Sequence, residues 1–366
     1  MIAASILLVL ASASTTSAGD PSLAVRGLDP VRLCEGAEVP GREDLEATQG
    51  RFSYRFCDAA TRARFLAEPE RWGIQWGGGC GRMGPLSGVG SPDRWAVHAG
   101  RIYVFASDGC RRGFLAAPQR FVVPPVAVPA GSAAAREAGA TWIARAVEAH
   151  GGAAAIDAAD GLHLESEREA AACAQRLEQD LGRDGGLTRH RVWIPEEPDT
   201  PGYEQTWSLG ARSVVDDDGE VFPLTSPDQL EDLRRFAHRE PLIHLWARGD
   251  AEFLALDLGA GELDAPGTAR TVENVIVRHR GLATTLHLDP VSGRVVGLSW
   301  RGRPNDGITA DVVEVFSAWR EVDGVLLPVD RSVSVDGELE PALAVAWDAV
   351  ALHARAPRPA AAGGAR

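Results

Sequence analysis

Residues 50–72 read GRFSYRFCDAATRARFLAEPERW, and residues 100–121 read GRIYVFASDGCRRGFLAAPQRF. From Tyr54 and Tyr103 onward the two stretches match at a constant offset of 49, pairing Phe56 with Phe105, Arg62 with Arg111, Phe65 with Phe114, Leu66 with Leu115 and Pro69 with Pro118. Each copy reads as one strand–helix unit. A Gly-led strand carries alternating apolar residues, a polar cap (Asp58 or Ser107) opens a short helix, and Pro ends it. The Phe-Leu pair of each helix is expected to face its strand. Neither copy can bury its apolar face alone, so the two are expected to pack together.

Around the first copy stand Gly27-Leu28-Asp29-Pro30-Val31, the strand ending Phe56-Cys57 and the helix ending Phe65-Leu-Ala-Glu-Pro69-Glu-Arg-Trp72. Before the second stand Trp76-Gly-Gly-Gly-Cys80 and Trp95-Ala-Val-His98-Ala-Gly100-Arg-Ile-Tyr103. Over about residues 26–123 these residues resemble a YHS domain of the exported, tandem kind. YHS domains similar to metal-binding TRASH modules carry Phe-Cys-x-x-x-Cys at the strand-to-helix turn. Here the first copy keeps Cys57 and has Thr61 at the second thiol position, while the second copy has Ala106 and keeps Cys110. Neither copy holds a complete thiol pair. Cys34, Cys57, Cys80 and Cys110 therefore have three readings: a structural disulfide or buried thiols, a soft-metal site built across the copies with His98 that would take zinc or copper(I), or a redox-active thiol. Cys110 falls in the first helical turn, where the helix dipole favours its thiolate. Cys173 reads as a small buried apolar side chain.

Beyond the repeat, residues 124–136 form a Pro/Ala-rich linker with no amphipathic period. Arg136–His150 then carries Trp142, Ile143, Ala146, Val147 and His150 at helical spacing, stopped by Gly151-Gly152, with His150 read as a capping or packed histidine. Ser226-Pro227-Asp228-Gln229 is a capping box opening a second helix, whose run Pro241 breaks. Most of the remainder reads as strand: Val296, Leu298 and Trp300 alternate, as do Val313 and Val315, Val333 and Val335, and Leu343, Val345 and Trp347. Asp289-Pro-Val-Ser-Gly293, Asp323-Gly324 and Asp336-Gly337 mark hairpin turns. Cys173, Leu177 and Leu181 share a helical stripe across 168–181. The expectation is α+β, an antiparallel sheet with helices on one face.

The order of helix and Ala-His150-Gly151-Gly152, strands, helix 226–248, and strands closing at Val322-Asp-Gly-Val-Leu-Leu-Pro328 resembles LolA/LolB-like lipoprotein carriers over about residues 137–353. That resemblance implies a curved, incomplete antiparallel barrel around helices, with an apolar cavity for acyl chains. Its ligand would be a lipid or other apolar small molecule, or an envelope lipoprotein. Trp207, Trp246, Trp300, Trp319 and Trp347 are the candidates to line such a cavity, with ordinary core packing as the plainer reading.

No complete catalytic constellation stands out. His-Glu-x-x-His, Gly-x-Ser-x-Gly and a strand-to-helix Gly-x-Gly-x-x-Gly are absent, and Gly77-Gly-Gly79 opens no helix. Asp216-Asp-Asp218-Gly219 reads as a solvated turn and not a calcium loop. His279 and His287 are positioned to face each other across the turn at Arg280-Gly281, a weak metal candidate. All 37 basic residues are Arg, which excludes Schiff-base, P-loop and Ser/Lys chemistries. A net charge of -14 excludes nucleic acid as a partner.

Residues 1–18 combine the apolar run Ile2–Ala13 with small residues, as a secretory signal does, and are too short to span a bilayer. Residues 354–366 read as a disordered tail. The sequence thus points to a periplasmic or secreted binding protein that is not an enzyme, not membrane-spanning and without a cofactor. The alternatives are a redox protein or metal chaperone using Cys57, Cys80 and Cys110, and a structural envelope protein with a protein partner.

Overall fold

The computed structural model describes residues 21–354, apart from 87–89, 123–125, 171–172, 196–201, 216–218, 220, 266–267 and 305–307. The signal-like segment, the tail, part of the linker and Asp216-Asp217-Asp218 lie outside the described residues, as does the Cys173 side chain.

The repeat is realised element by element. After β1 (Ser22–Leu23) and α1 (Pro30–Cys34), the first copy comprises β2 (Arg42–Gln49), β3 (Phe52–Phe56) and α2 (Ala59–Ala67), followed by α3 (Pro69–Trp72). The second copy comprises β4 (Ser91–His98), β5 (Arg101–Phe105) and α4 (Asp108–Ala116), so each element returns 49 residues later with its length intact. Asp58 and Ser107 cap the helices as expected, accepting from the Thr61 and Cys110 backbone N–H at 2.8 and 3.1 Å. The Phe-Leu expectation needs correcting. Phe65 and Phe114 are buried, but Leu66 and Leu115 are about half exposed, because adjacent helical residues point in different directions. Strand β5 joins the copies. Its Ile102 and Val104 enter a cluster with Phe52, Tyr54, Phe56 and Phe65, while Tyr103 and Phe105 enter another with Trp76, Phe114 and Phe121.

The larger half opens with α5 (Ala133–Ala149) and α6 (Gly152–Ala158). Ser132 caps α5, accepting from the Ala135 N–H at 3.0 Å. Gly151 sits at φ +111°, where a Cβ would lie 1.9 Å from the Gly324 carbonyl oxygen, so the turn demands glycine twice over. A first antiparallel sheet runs β6 (Ala159–Ala170), β7 (Cys173–Gly182), β8 (Leu187–Pro195), β9 (Tyr203–Ser208), β10 (Ser213–Val215) and β11 (Val221–Pro223). Then come α7 (Pro227–Ala237), with the expected Ser226/Gln229 capping box, and α8 (Pro241–Ala247).

A second antiparallel sheet follows, with β12 (Leu254–Ala265), β13 (Thr268–His279), β14 (Leu282–Leu288), β15 (Val295–Gly302), β16 (Ala310–Val322), β17 (Val325–Val335) and β18 (Glu338–Leu339) in sequence order; β19 (Val345–Ala346) also pairs with β17. The last strand, β20 (Ala349–Ala354), returns to pair with β6. Arg280-Gly281, Asp323-Gly324 and Asp336-Gly337 all turn with positive φ at both residues, the conformation that suits two-residue hairpins.

The chain is therefore α+β and mostly antiparallel. In the larger half the ladders run as a seven-stranded and an eight-stranded sheet. The helical stripe over 168–181 resolves into β6 and β7, with Arg168 opposite Gln175; a spacing of four serves a strand face as well as a helix. Val296 leaves the face of Leu298 and Trp300, because a register shift between β14 and β15 turns it toward Leu263, Val272 and Val315. Ile143, Val147, Ile156, Leu233, Leu242 and Leu245 from the helices meet Leu162, Leu181, Leu286, Leu298 and Phe316 from the sheets in one continuous core.

Candidate functional site

The four described thiols are free; Cys110 stands within hydrogen-bond reach of Cys80 in the second copy. In the first copy the fully buried Asp29 organises the strand-to-helix turn. Its carboxylate accepts from the Val31, Arg32 and Cys57 backbone N–H groups at 2.9, 3.2 and 2.8 Å, and from the Thr61 hydroxyl at 2.6 Å. Thr61 has thus become a hydrogen-bond donor holding strand to helix. Burial raises the Cys57 thiol, aided by Asp29, and pushes Cys34 up to about 12 beside the Trp72 carbonyl. In the second copy the buried Cys80 sulfur accepts from the Ala106 N–H at 3.4 Å. The Cys110 thiol is held below its ordinary value, chiefly by Ser107, against burial, and further by Cys80 within hydrogen-bond reach. His98 meets the Phe114 ring edge-on at 5.9 Å. Among the described residues no group of three or more His, Cys, Asp or Glu side chains is placed to hold a metal.

His150, His238, His244, His279 and His287 are buried in the larger half. His279 pairs with Leu282 and His287 with Asn274, so they do not face each other as expected; the turn sets a register that separates them. His279 instead stacks on His238 at 5.6 Å and bonds Asp250 at 3.0 Å, and His244 meets His238 edge-on. His150 bridges two strands, with Nδ1 2.6 Å from the Leu326 carbonyl and Nε2 accepting from the Val295 N–H at 3.2 Å. That acceptance puts the proton on Nδ1, and burial lowers the ring's pKa to about 4.

Of the five tryptophans expected to line a ligand cavity, Trp300, Trp246 and Trp347 are core residues. Trp246 Nε1 donates to the Ile156 carbonyl at 2.9 Å, and Trp300 Nε1 donates to Glu314 at 2.9 Å. Trp319 is partly buried beneath the Arg294 guanidinium. Trp207 does line a substantial cavity. Trp246, Trp300 and Trp347 thus take the ordinary core packing that was the plainer reading.

Glu314 anchors a buried charge network. It is fully buried and accepts from Arg239 Nε at 2.5 Å and Arg331 Nη1 at 3.0 Å, as well as from Trp300. Arg331 also pairs with Glu240. Burial alone would raise the Glu314 carboxyl, but Arg239 and Arg331 hold it below its usual range; burial raises Glu240.

Two open spaces in the larger half differ in chemistry. A groove of about 530 Å³ runs between α5 and β12, walled by Ala140, Ile143, Ala144, Val147, Phe253 and Leu254, with Arg136, Glu148 and Arg248 also lining it. It opens beside a tight crossing, since a Cβ on Gly139 would lie 2.7 Å from the Ala255 carbonyl oxygen. The small residues of α5 are the sequence signal for this groove, and a reading built on the tryptophans passes over them. The second space, about 240 Å³, lies between the inner face of the first sheet and α7, lined by arginines and aromatics.

The two halves also share a seam. Gln229 Nε2 donates to the Pro85 carbonyl at 3.2 Å. Arg303 pairs with Asp232 at 2.6 Å, donates to the Phe121 carbonyl and lies over the Trp76 ring. Gly77, Gly78 and Gly79 line a cavity of about 200 Å³ on this seam. No helix among the described residues is long and apolar enough to cross a membrane.

Comparison with protein-family models gives no match, and comparison with curated proteins gives none either. Among solved structures, the chain is similar to a DUF1329 family protein from Desulfovibrio piger ATCC 29098, at 10% identity and a TM-score of 0.30, covering 60% of this chain and 93% of that one. It is also similar to MucB, at 13% identity and a TM-score of 0.18, covering 54% of this chain and 78% of that one. At these TM-scores the likenesses carry no functional argument, and the function is read from the residues.

Proposed function

We propose that this chain is an exported binding protein of the cell envelope, not an enzyme, whose larger, LolA-like half takes a lipid or other apolar ligand and whose YHS-like tandem unit is an accessory module. The observation that carries this reading is the apolar groove between α5 and β12. At about 530 Å³ it has the size of a small-molecule site, and apolar side chains form most of its wall. The ligand would lie along a surface groove, not inside a hollow barrel. A fluorescent fatty-acid probe tests this: saturable uptake by the full chain that is lost in Ala144→Trp, which fills the groove, supports it. Non-saturable uptake, or uptake unchanged by the substitution, refutes it.

A second reading rests on Cys80 and Cys110. These thiols adjoin each other, and the Cys110 pKa is lowered. A dithiol that exchanges with an external disulfide would use this pair, the attacking thiolate displacing one thiol of the oxidant and the second thiol then closing the protein disulfide. Intact mass after alkylation across a series of glutathione redox buffers distinguishes it. A two-proton loss confined to Cys80 and Cys110 supports exchange, and alkylation of all five cysteines of the chain at every poise excludes it.

A further inference from the structure

The groove between α5 and β12 is apolar along its length and charged at its ends. On α5 its lining residues are Arg136, Ala140, Ile143, Ala144, Val147 and Glu148, a stripe at the three- and four-residue spacing of one helix face. Glu148 follows Arg136 by twelve positions, about 18 Å of helix axis, so the two charges stand at opposite ends of the wall. Between them Ala140 and Ala144 keep the wall low, and Phe253 and Leu254 form the side opposite.

The ends differ in sign and in how their charges are employed. Arg136 is exposed, and its two hydrogen bonds, to the Ala130 and Gly131 carbonyls at 2.8 and 3.3 Å, both use Nη2. Neither acceptor is charged, and Nε and Nη1 form no hydrogen bond with the described residues, which leaves three N–H donors for a ligand. Arg136 also lies in the first turn of α5, where the positive end of the helix dipole favours an anion. At the far end Glu148 is exposed in the last turn and repels one. The cation there, Arg248, is committed: Nη2 pairs with Asp157 of α6 at 2.6 Å, and Nη1 donates to the Leu245 carbonyl at 2.6 Å. A cationic head drawn to Glu148 would meet Arg248 in the same groove. An anionic head is therefore attracted at one end only, and its tail has one way to lie.

We propose that the groove takes a single-chain anionic amphiphile, a fatty-acid-type carboxylate, in one orientation, with its head group at Arg136 and its tail along Ala140 and Ala144 toward Val147. This rests on the groove being the apolar site proposed above, and adds the charge of the head and the end that holds it. The guanidinium fork suits a carboxylate, and the apolar wall takes the hydrocarbon out of water.

Calorimetric titration of the full chain with decanoate, decanol and decylamine, each below its micelle concentration, tests this. Decanoate should bind about three- to thirtyfold tighter than the other two, the combined effect of one exposed ion pair and a helix end. Arg136→Gln should bring decanoate and decanol to equal affinity. Orientation is read by NMR: stearate spin-labelled near its head should broaden the Ala140 amide signal more than that of Val147, and stearate spin-labelled near its tail end should do the reverse. Decanol or decylamine matching decanoate on the unsubstituted chain, or a preference that survives Arg136→Gln, overturns the head-group assignment and leaves apolar carriage standing. Reversed broadening overturns the orientation. Absence of saturable binding by all three ligands overturns the reading beneath it as well. Groove signals that move with protein concentration in the ligand-free chain make a second copy the occupant and overturn the amphiphile.

Discussion

Replacing Glu314 with glutamine removes one negative charge from the centre of the larger half while keeping the side chain's shape. In the native protein that carboxylate receives three donors, at 2.5 Å from Arg239, 2.9 Å from Trp300 and 3.0 Å from Arg331. The amide could retain one oxygen for Trp300 but would turn an NH2 toward a guanidinium. Arg331 keeps Glu240, so the loss falls chiefly on Arg239, left buried without its carboxylate. Breaking such a pair from one side costs about 3–5 kcal/mol. At about 2–4 °C per kcal/mol for a unit of this size, the melting temperature should fall by roughly 6–20 °C.

Circular dichroism against urea and temperature measures both quantities. The sign of the pH dependence is also fixed. Because the folded carboxyl is held below its ordinary value, its contribution is present above the unfolded pKa and is lost as pH falls through the folded one. The gap between native protein and variant should therefore close in acid. A loss under about 1 kcal/mol, in the range of an exposed pair, would show that water reaches Glu314 and that the network is not the buried structure described.

The neutral histidines give a second acid effect. His150, His244 and His287 are lowered to about 4 by burial, and His238 also falls below its ordinary value. Since the unfolded chain binds these protons first, stability should fall as pH drops from about 6.5 toward 4, measured as melting temperature against pH. In a timed alkylation at neutral pH, Cys110 should react before Cys57, and Cys34, with its thiol raised to about 12, should lag; peptide mass spectrometry gives the order. Gly139→Ala should destabilise the protein despite the gain of about 1 kcal/mol in helix propensity, because the new Cβ meets the Ala255 carbonyl; unchanged urea unfolding would contradict that crossing. Ser226→Ala should cost about 1 kcal/mol through loss of the α7 cap, read in the same assay.

The elements that were legible in the sequence are those with local causes. The 49-residue repeat, the caps at Asp58, Ser107 and Ser226, and the glycine turns at Gly324 and Gly337 each depend on a few neighbouring residues, and each stands in the structure. The failures involve choices made by distant partners. Leu177 and Leu181 fit a helix or a strand equally well until β6 and β8 flank them. Val296 changes face through a shift in pairing with β14 that no local pattern announces. Trp246, Trp300 and Trp347 were open to either reading, because a large apolar ring serves a core or a cavity alike. The arginines of the second cavity, spread from 168 to 239, become neighbours only once the sheet forms.

One side chain on the seam has a wider consequence. Gln229 both completes the helix cap, accepting from the Ser226 N–H at 3.2 Å, and grips the Pro85 carbonyl with its other end. Another tie joins the halves where the Thr309 N–H donates to the Arg120 carbonyl at 2.6 Å. Leu86, next along from Pro85, helps wall both the seam cavity and the arginine-lined one. These ties hold the halves together independently of the proline stretch, and nicking it should leave the pieces travelling as one. The small front module also supplies Leu86 to the wall of the arginine-lined cavity, so stripping it away would lay open that cavity along with the seam.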